Sequence, residues 1–237
     1  QPCRKEDVKR FSDKEGAECA TSKIKDSNNY RGACAPYRRL HVCDKNMEKI
    51  ATSTTSDTLL AEVCYAAKEE GASLQGYYEQ YRANNTDFKT HICTELARSF
   101  ADIGDIVRGR DLFYGNTQEK TKRKQLDKKM KDIFKQIHSG LTKKGAKDHY
   151  KDENGGNFFK LREDWWTANR HTVWEAITCK AEGAYFRPTC SMNGSGAQAK
   201  DKCRCKDEKG TNETDQVPTY FDYVPQYLRW FEEWAED

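Results

Sequence analysis

The chain has 237 residues, of which 36% are hydrophobic and 33% charged, with ten cysteines and a net charge of +3. That length admits one large domain or two small ones, and its core is thin for its size. The near-balanced charge does not by itself point to a polyanionic partner. No run of about 18 apolar residues could span a membrane, and no secretory leader is visible.

Residues 1–57 are polar and irregular, with Cys3, Cys19, Cys34 and Cys43 set among Gly, Asn, Ser and Pro. Such a segment buries little and depends on bridges; four cysteines admit three pairings. The run Thr52–Asp57 reads as a connector that ends in a helix cap at Ser56 or Asp57. From residue 58 to 237 the pattern is that of a helical bundle. Leu60, Cys64, Ala67, Gly71, Leu74, Tyr78 and Tyr81 recur at helical spacing over about seven turns. Asn84–Asp87 breaks that helix, and Thr86 or Asp87 caps the next, whose stripe is Phe88, Ile92, Leu96, Phe100, Ile103 and Val107. A third helix is expected from Gln118 to Leu141, with Leu126, Met130, Ile133, Phe134, Ile137 and Leu141 facing inward.

The stretch 160–179 places Leu161, Trp165, Trp166, Val173, Trp174, Ala176 and Ile177 over more than half of a helical wheel. A helix so apolar packs against several neighbours, and it is expected to be the most buried element and the organiser of the fold. A sugar-stacking platform is the alternative use of three tryptophans. Residues 183–217 read as a long loop stapled by Cys190, Cys203 and Cys205. Pro225 opens a last helix in which Leu228, Phe231 and Ala235 mark one face, with Tyr227, Trp230 and Trp234 beside them. The fold class is mainly α: a helical bundle with a small disulfide-pinned irregular N-terminal part. The start at Gln1-Pro-Cys and the uncapped end at Trp234–Asp237 read as a fragment of a longer polypeptide.

Catalysis finds little support. The five histidines are scattered, and HExxH, GxSxG, P-loop and GxGxxG patterns are missing. No cofactor is implied. Cys179, Cys190, Cys203 and Cys205 could be imagined around zinc, but their spacing does not fit paired knuckles. Ten cysteines without a CxxC pair point instead to disulfides and an oxidising, extracellular compartment, with all ten expected to be paired.

Local charge is more informative. Between Gln118 and Lys151, twelve Lys/Arg face four Asp/Glu, a net of 12 − 4 = +8 that leaves 3 − 8 = −5 for the rest. On the third helix Lys122, Lys124, Lys128, Lys129, Lys131 and Lys135 fall on the flanks and outer face of the apolar stripe, and Arg123 joins them as a candidate glycan contact. Lys122, Lys128, Lys129 and Lys135 in particular are expected to carry their charges into solvent. Such a face concentrates polyanions; the bland alternative is a lysine-rich wall that only keeps the helix soluble. Outside the cell the polyanion would be heparan sulfate or a sialylated glycan, not nucleic acid. Three sequons, Asn84, Asn193 and Asn212, fall in expected loops.

Six blocks occur in order: GACAPYRRLHVC (32–43), LLAEVCYAAKEEG (59–71), ARSFADIGDIVRGRDL (97–112), REDWW (162–166), WEAITC (174–179) and YVPQYLRWFEEWAED (223–237). Together they resemble the Duffy-binding-like domains of the malaria parasite. The DIGDI and PQYLR pieces look most like the alpha class, found near the N-terminus of Plasmodium falciparum erythrocyte membrane protein one. The resemblance implies a disulfide-pinned first subdomain (1–57), a helical second subdomain (58–237), and a third subdomain that this chain lacks. It implies the pairs Cys3–Cys43 and Cys19–Cys34, and leaves Cys64, Cys93, Cys179, Cys190, Cys203 and Cys205 paired in unknown order. It implies an adhesion module on the infected red-cell surface, the ectodomain of a membrane-anchored variant antigen. Its partners would be an erythrocyte or endothelial receptor, heparan sulfate or blood-group glycans in rosetting or cytoadhesion, and host antibodies. No membrane contact falls within the chain. The competing implication is a structural head domain that supports a neighbouring receptor-binding domain.

Overall fold

The structure, a computed structural model, describes all residues except 4–9, 12–17, 26–31, 86–90, 116, 152–154, 183–188, 193–194, 200, 208, 210–212 and 237. In chain order the elements are α1 (Tyr37–Leu40), a 3₁₀ turn (Met47–Lys49), α2 (Ser56–Asn84), α3 (Ile92–Arg108), α4 (Thr117–Ser139), α5 (Ala146–His149) and α6 (Phe159–Ile177). A two-stranded hairpin (β1, Cys190–Met192; β2, Ser195–Ala197), a 3₁₀ turn (Phe221–Tyr223) and α7 (Gln226–Glu236) follow. The protein is mainly α-helical, and among the described residues no helix is long and apolar enough to cross a membrane.

Helix α2 starts one residue earlier than the cap signals at Ser56 and Asp57 imply. Thr55 is the cap: its backbone is extended and its hydroxyl accepts from the Thr58 amide at 3.2 Å. Ser56 is already helical, and its hydroxyl accepts from the Trp165 indole at 2.8 Å. At the other end of this contact, a Cβ on Gly71 would lie 1.9 Å from the Ile177 carbonyl oxygen. Rising together from 56 to 71 and from 165 to 177, α2 and α6 therefore run parallel in close contact, and α3 lies antiparallel to α6. Asn84 is the last helical residue, not a loop residue, and its amide donates to the Gln80 carbonyl. Thr86, Asp87 and Phe88, and the sequons Asn193 and Asn212, lie outside the described residues.

The organising element is α3, not the tryptophan helix. Every residue from Ile92 to Arg108 is buried, whereas α6 buries Leu161, Arg162, Trp165, Trp166, Val173, Trp174 and Ile177 and leaves its other side at the surface. The charges Glu95, Arg98, Asp102, Asp105 and Arg108 are of types that ordinarily face solvent, but here they are enclosed and other elements bring partners to them. Arg38 of α1 donates to Asp102 at 2.8 Å and forks onto Glu233 of α7 at 2.9 and 2.8 Å. Arg229 of α7 donates to Asp102 at 2.9 Å and Asp105 at 2.6 Å, and Gln226 to Asp102 at 3.0 Å. Buried charge is tolerated on such terms: paired, and with its remaining hydrogen-bonding positions filled.

The same network inverts α7. Its polar residues Gln226, Arg229 and Glu233 point inward with Trp230, while Leu228, Phe231 and Trp234 are exposed, Phe231 by 64%. Around α3 the aromatic core closes. The Trp166 indole packs at a tilt against Phe100 at 5.1 Å between centroids and donates to Asp222 at 2.8 Å. A Cβ on Gly104 would stand 2.7 Å from that ring, so the glycine of the DIGDI block exists to admit the tryptophan of the REDWW block.

Four disulfides are present: Cys3–Cys43, Cys19–Cys34, Cys93–Cys203 and Cys190–Cys205. Cys190, Cys203 and Cys205, weighed above around zinc, are thus consumed in bridges that hold the 190–205 segment to α3 and to itself. Cys64 and Cys179 are free thiols, contrary to full pairing. The parallel register explains this. Gly71 abuts Ile177, so Cys64, seven residues back on α2, lies about 10 Å along the axis before that level, whereas Cys179 follows it by two residues, which sets the pair beyond the reach of a disulfide.

Candidate functional site

Helix α4 buries Leu126, Met130, Ile133 and Phe134, with Ile137 half-buried, and the edge of Phe134 meets Trp165 at 6.0 Å. At 100° per residue this stripe is centred opposite Lys124, Lys128, Lys131 and Lys135, which follow one another at i, i+4, i+7 and i+11. They form one outward row about 16 Å long. Lys122 lies on the flank.

The seven basic candidates do not behave alike. Lys122, Lys124, Lys128 and Lys135 are exposed and make no ion pair among the described residues. Lys131 is half-buried and holds Asp127 at 3.1 Å. Lys129, expected in solvent, instead donates to the Glu48 carbonyl at 2.5 Å and ties α4 to the 3₁₀ turn. Arg123 occupies the buried side of the wheel, where it pairs with Asp44 and lies over the Phe113 ring at 5.9 Å. These two are structural cations; the wheel angle of Arg123, between Met130 and Phe134, could have indicated its role, whereas that of Lys129 could not. Beyond the helix Lys143, Lys144, Lys147 and Lys151 are also at the surface.

Two further basic residues reach this region from places that sequence could not connect. Lys25 arrives because the N-terminal segment pairs with the loop after α3: its amide donates to the Leu112 carbonyl at 2.6 Å, and the Tyr114 amide donates to the Lys23 carbonyl at 2.7 Å. Arg162 enters from α6 and is fully buried. Its Nε donates to the Val107 carbonyl at 2.7 Å, and its guanidinium lies over Phe134 at 5.6 Å. Burial pulls its pKa down to about 10, against the attraction of Asp127 and Glu163.

The arrangement offers charge and shape, not reactive chemistry. Asp102 and Arg229, whose pKa values are shifted in the core, are members of one buried ion-pair network, and among the described residues no three or more metal-ligating side chains converge. A second surface feature is a tyrosine pair. Tyr220 and Tyr223 are exposed on either side of Arg170, at 5.9 and 5.1 Å from its guanidinium, which is itself held by Asp222.

Residues 32–229 match the model of the Duffy binding domain family. The chain is similar to the crystal structure of the NTS-DBL1-alpha domain of Plasmodium falciparum membrane protein 1 from the varO strain. Identity is 41%, the TM-score is 0.79, and the match covers 99% of this chain and 51% of that one. An ICAM-1-binding DBL-beta domain of the same protein type matches at 28% identity and a TM-score of 0.66, over 98% of this chain and 48% of that one. The Duffy receptor beta form of Plasmodium knowlesi is 22% identical over 87% of this chain and 14% of the receptor. The chain thus spans about half the length of the solved domains and a small part of the receptor.

Proposed function

This chain belongs to the Duffy binding domain family, and from that membership we propose that it is a host-cell adhesion module that presents α4 to an anionic glycan. Duffy binding domains are adhesion modules, not enzymes. The observation that carries the reading is the outward row Lys124, Lys128 and Lys135 on a face whose other side is fixed by core packing, followed in the chain by the exposed Lys143, Lys144, Lys147 and Lys151. The glycan is heparan sulfate or a sialylated or blood-group chain on an erythrocyte or endothelial cell, and the setting is the surface of an infected erythrocyte, where host antibodies also meet it. In the same reading residues 1–57 are a first subdomain and 58–237 a second.

Retention on immobilised heparin tests this against retention on a plain cation exchanger at matched salt. A specific face elutes later from heparin, and its retention falls steeply above about 0.15 M salt, where charges are screened within about 8 Å. Equal elution from both matrices would leave only a soluble basic surface. A second reading, a supporting domain beside a receptor-binding neighbour, is favoured by the exposed apolar side of α7, at Leu228, Phe231 and Trp234.

A further inference from the structure

We infer that the small cleft between the end of α3 and the first turns of α4 is a subsite for one sulfate or carboxylate group of a bound glycan. The inference rests on the adhesion reading of α4 and assigns the point at which the glycan is anchored.

The cleft is lined by Lys25, Gly109, Asp111, Phe113, Arg123 and Lys124 among others, and it holds about 90 Å³. That is the space of about three water molecules, enough for one tetrahedral or planar anion. Its cations come from separate parts of the chain, Lys25 from the N-terminal segment and Arg123 and Lys124 from α4.

The carboxylates in its wall are already committed. Asp111 accepts from Arg39 at 2.6 Å and lies 4.0 Å from Arg123; Asp127 is held by Lys131 at 3.1 Å. Lys25 and Lys124 make no ion pair among the described residues. The cleft therefore carries uncompensated positive charge at its rim.

A second observation comes from behind the wall. Gly109 packs directly on the buried Arg162 guanidinium: a Cβ there would lie 2.7 Å from Nη1. Among the described residues that nitrogen has no acceptor within hydrogen-bond distance, and its ion-pair partner Asp127 is 3.7 Å away and shared with Lys131. Arg39, which holds Asp111, likewise has two buried guanidinium nitrogens without acceptors among the described residues. Buried donors are almost always satisfied, and a cation short of countercharge is the more unusual case. An anion in the cleft would take charge-assisted hydrogen bonds from Lys25, Arg123 and Lys124 and lower the electrostatic cost of Arg162 behind them. The remainder of the glycan would then run along Lys128, Lys131 and Lys135.

The test is calorimetric binding at about 0.15 M salt with the full chain. The probes are a fully sulfated heparin tetrasaccharide, its desulfated form, 3′-sialyllactose and lactose. Two variants remove the same charge: Lys25→Gln with Lys124→Gln in the cleft, and Lys128→Gln with Lys135→Gln outside it. Melting temperatures verify that both fold. The expected result is binding of the sulfated or the sialylated probe, whichever anion the cleft takes, and of neither neutral one, with the cleft pair weakening it about tenfold more than the row pair. Equal losses would overturn the subsite and leave α4 as a diffuse basic face. Absence of binding by both anionic probes, together with no preference for heparin over the exchanger, would overturn the face and the subsite together.

Discussion

Asp102→Asn alters one charge at the centre of the buried network and leaves its shape intact. One Asp102 oxygen accepts from Arg38 at 2.8 Å; the other accepts from Arg229 at 2.9 Å and Gln226 at 3.0 Å. An asparagine keeps the second set through its carbonyl oxygen, but its NH2 group then faces the Arg38 donor. One charge-assisted hydrogen bond is lost, about 1.5–3 kcal/mol. Two buried guanidiniums also lose a shared countercharge, although Arg38 keeps Glu233 and Arg229 keeps Asp105. Removing one partner of a buried pair typically costs about 3–5 kcal/mol, and that is the expected loss at pH 7. Burial by itself raises the Asp102 carboxyl; Arg38, then Arg229 and Arg39, outweigh it and hold the group well below the usual carboxylate range. A folded-state pKa below the unfolded value gives stability that is present above the unfolded pKa, about 3.9, and lost as pH falls through the folded one. The gap between wild type and variant should therefore be full at pH 7 and shrink in acid. Urea unfolding with the disulfides intact, at pH 7 and at progressively lower pH, measures it. A gap below about 1 kcal/mol at pH 7, the size of an ordinary substitution, or one that grows in acid, would refute the reasoning.

The remaining predictions concern packing and cysteine chemistry. Gly71→Ala drives a Cβ into the Ile177 carbonyl and should cost about 3 kcal/mol or more by overpacking, whereas Gly76→Ala meets nothing within 4 Å and should stabilise α2 by about 0.5–1 kcal/mol; paired thermal melts decide both. Replacing Cys93 and Cys203 with serine opens a bridge of sequence separation 110 and should cost about 2–5 kcal/mol in denaturant titrations. Alkylation without reductant, read by mass spectrometry, should label Cys64 and Cys179 alone. Cys64 should react slowly until the chain unfolds, since burial and the nearby Glu175 push its thiol up to about 11.

Periodicity made the helices legible: Leu126, Met130, Ile133 and Phe134 are inside, as are Leu161, Trp165, Trp166, Val173, Trp174 and Ile177. It failed where buried charge replaced buried carbon. Asp102, Asp105, Arg229 and Glu233 have the residue types of a solvent face, and only the tertiary meeting of α1, α3 and α7 shows them to be core. The outward turn of Leu228, Phe231 and Trp234 follows from the same pairing and is invisible to any pattern within α7. In the basic face, wheel angle distinguishes the outward lysines from Arg123. The roles of Lys129, Lys25 and Arg162 depend on contacts with residues about 50 to 90 positions away, which spacing does not encode.

Adhesion by α4 is tested most directly by binding of the labelled chain to heparan sulfate-bearing cells, read by flow cytometry. Three proteins are compared: wild type, a variant with Lys122, Lys124, Lys128 and Lys135 changed to Gln, and a control with the exposed Lys68, Lys180, Lys202 and Lys209 changed to Gln. Surface lysines contribute within about 0.5 kcal/mol each to folding, so neither variant should melt differently from wild type by more than a few degrees. If α4 is the adhesive face, the first variant loses most of its cell binding and the control keeps it. Equal loss in both variants would make net charge the cause, and full retention by the first would remove α4 from adhesion.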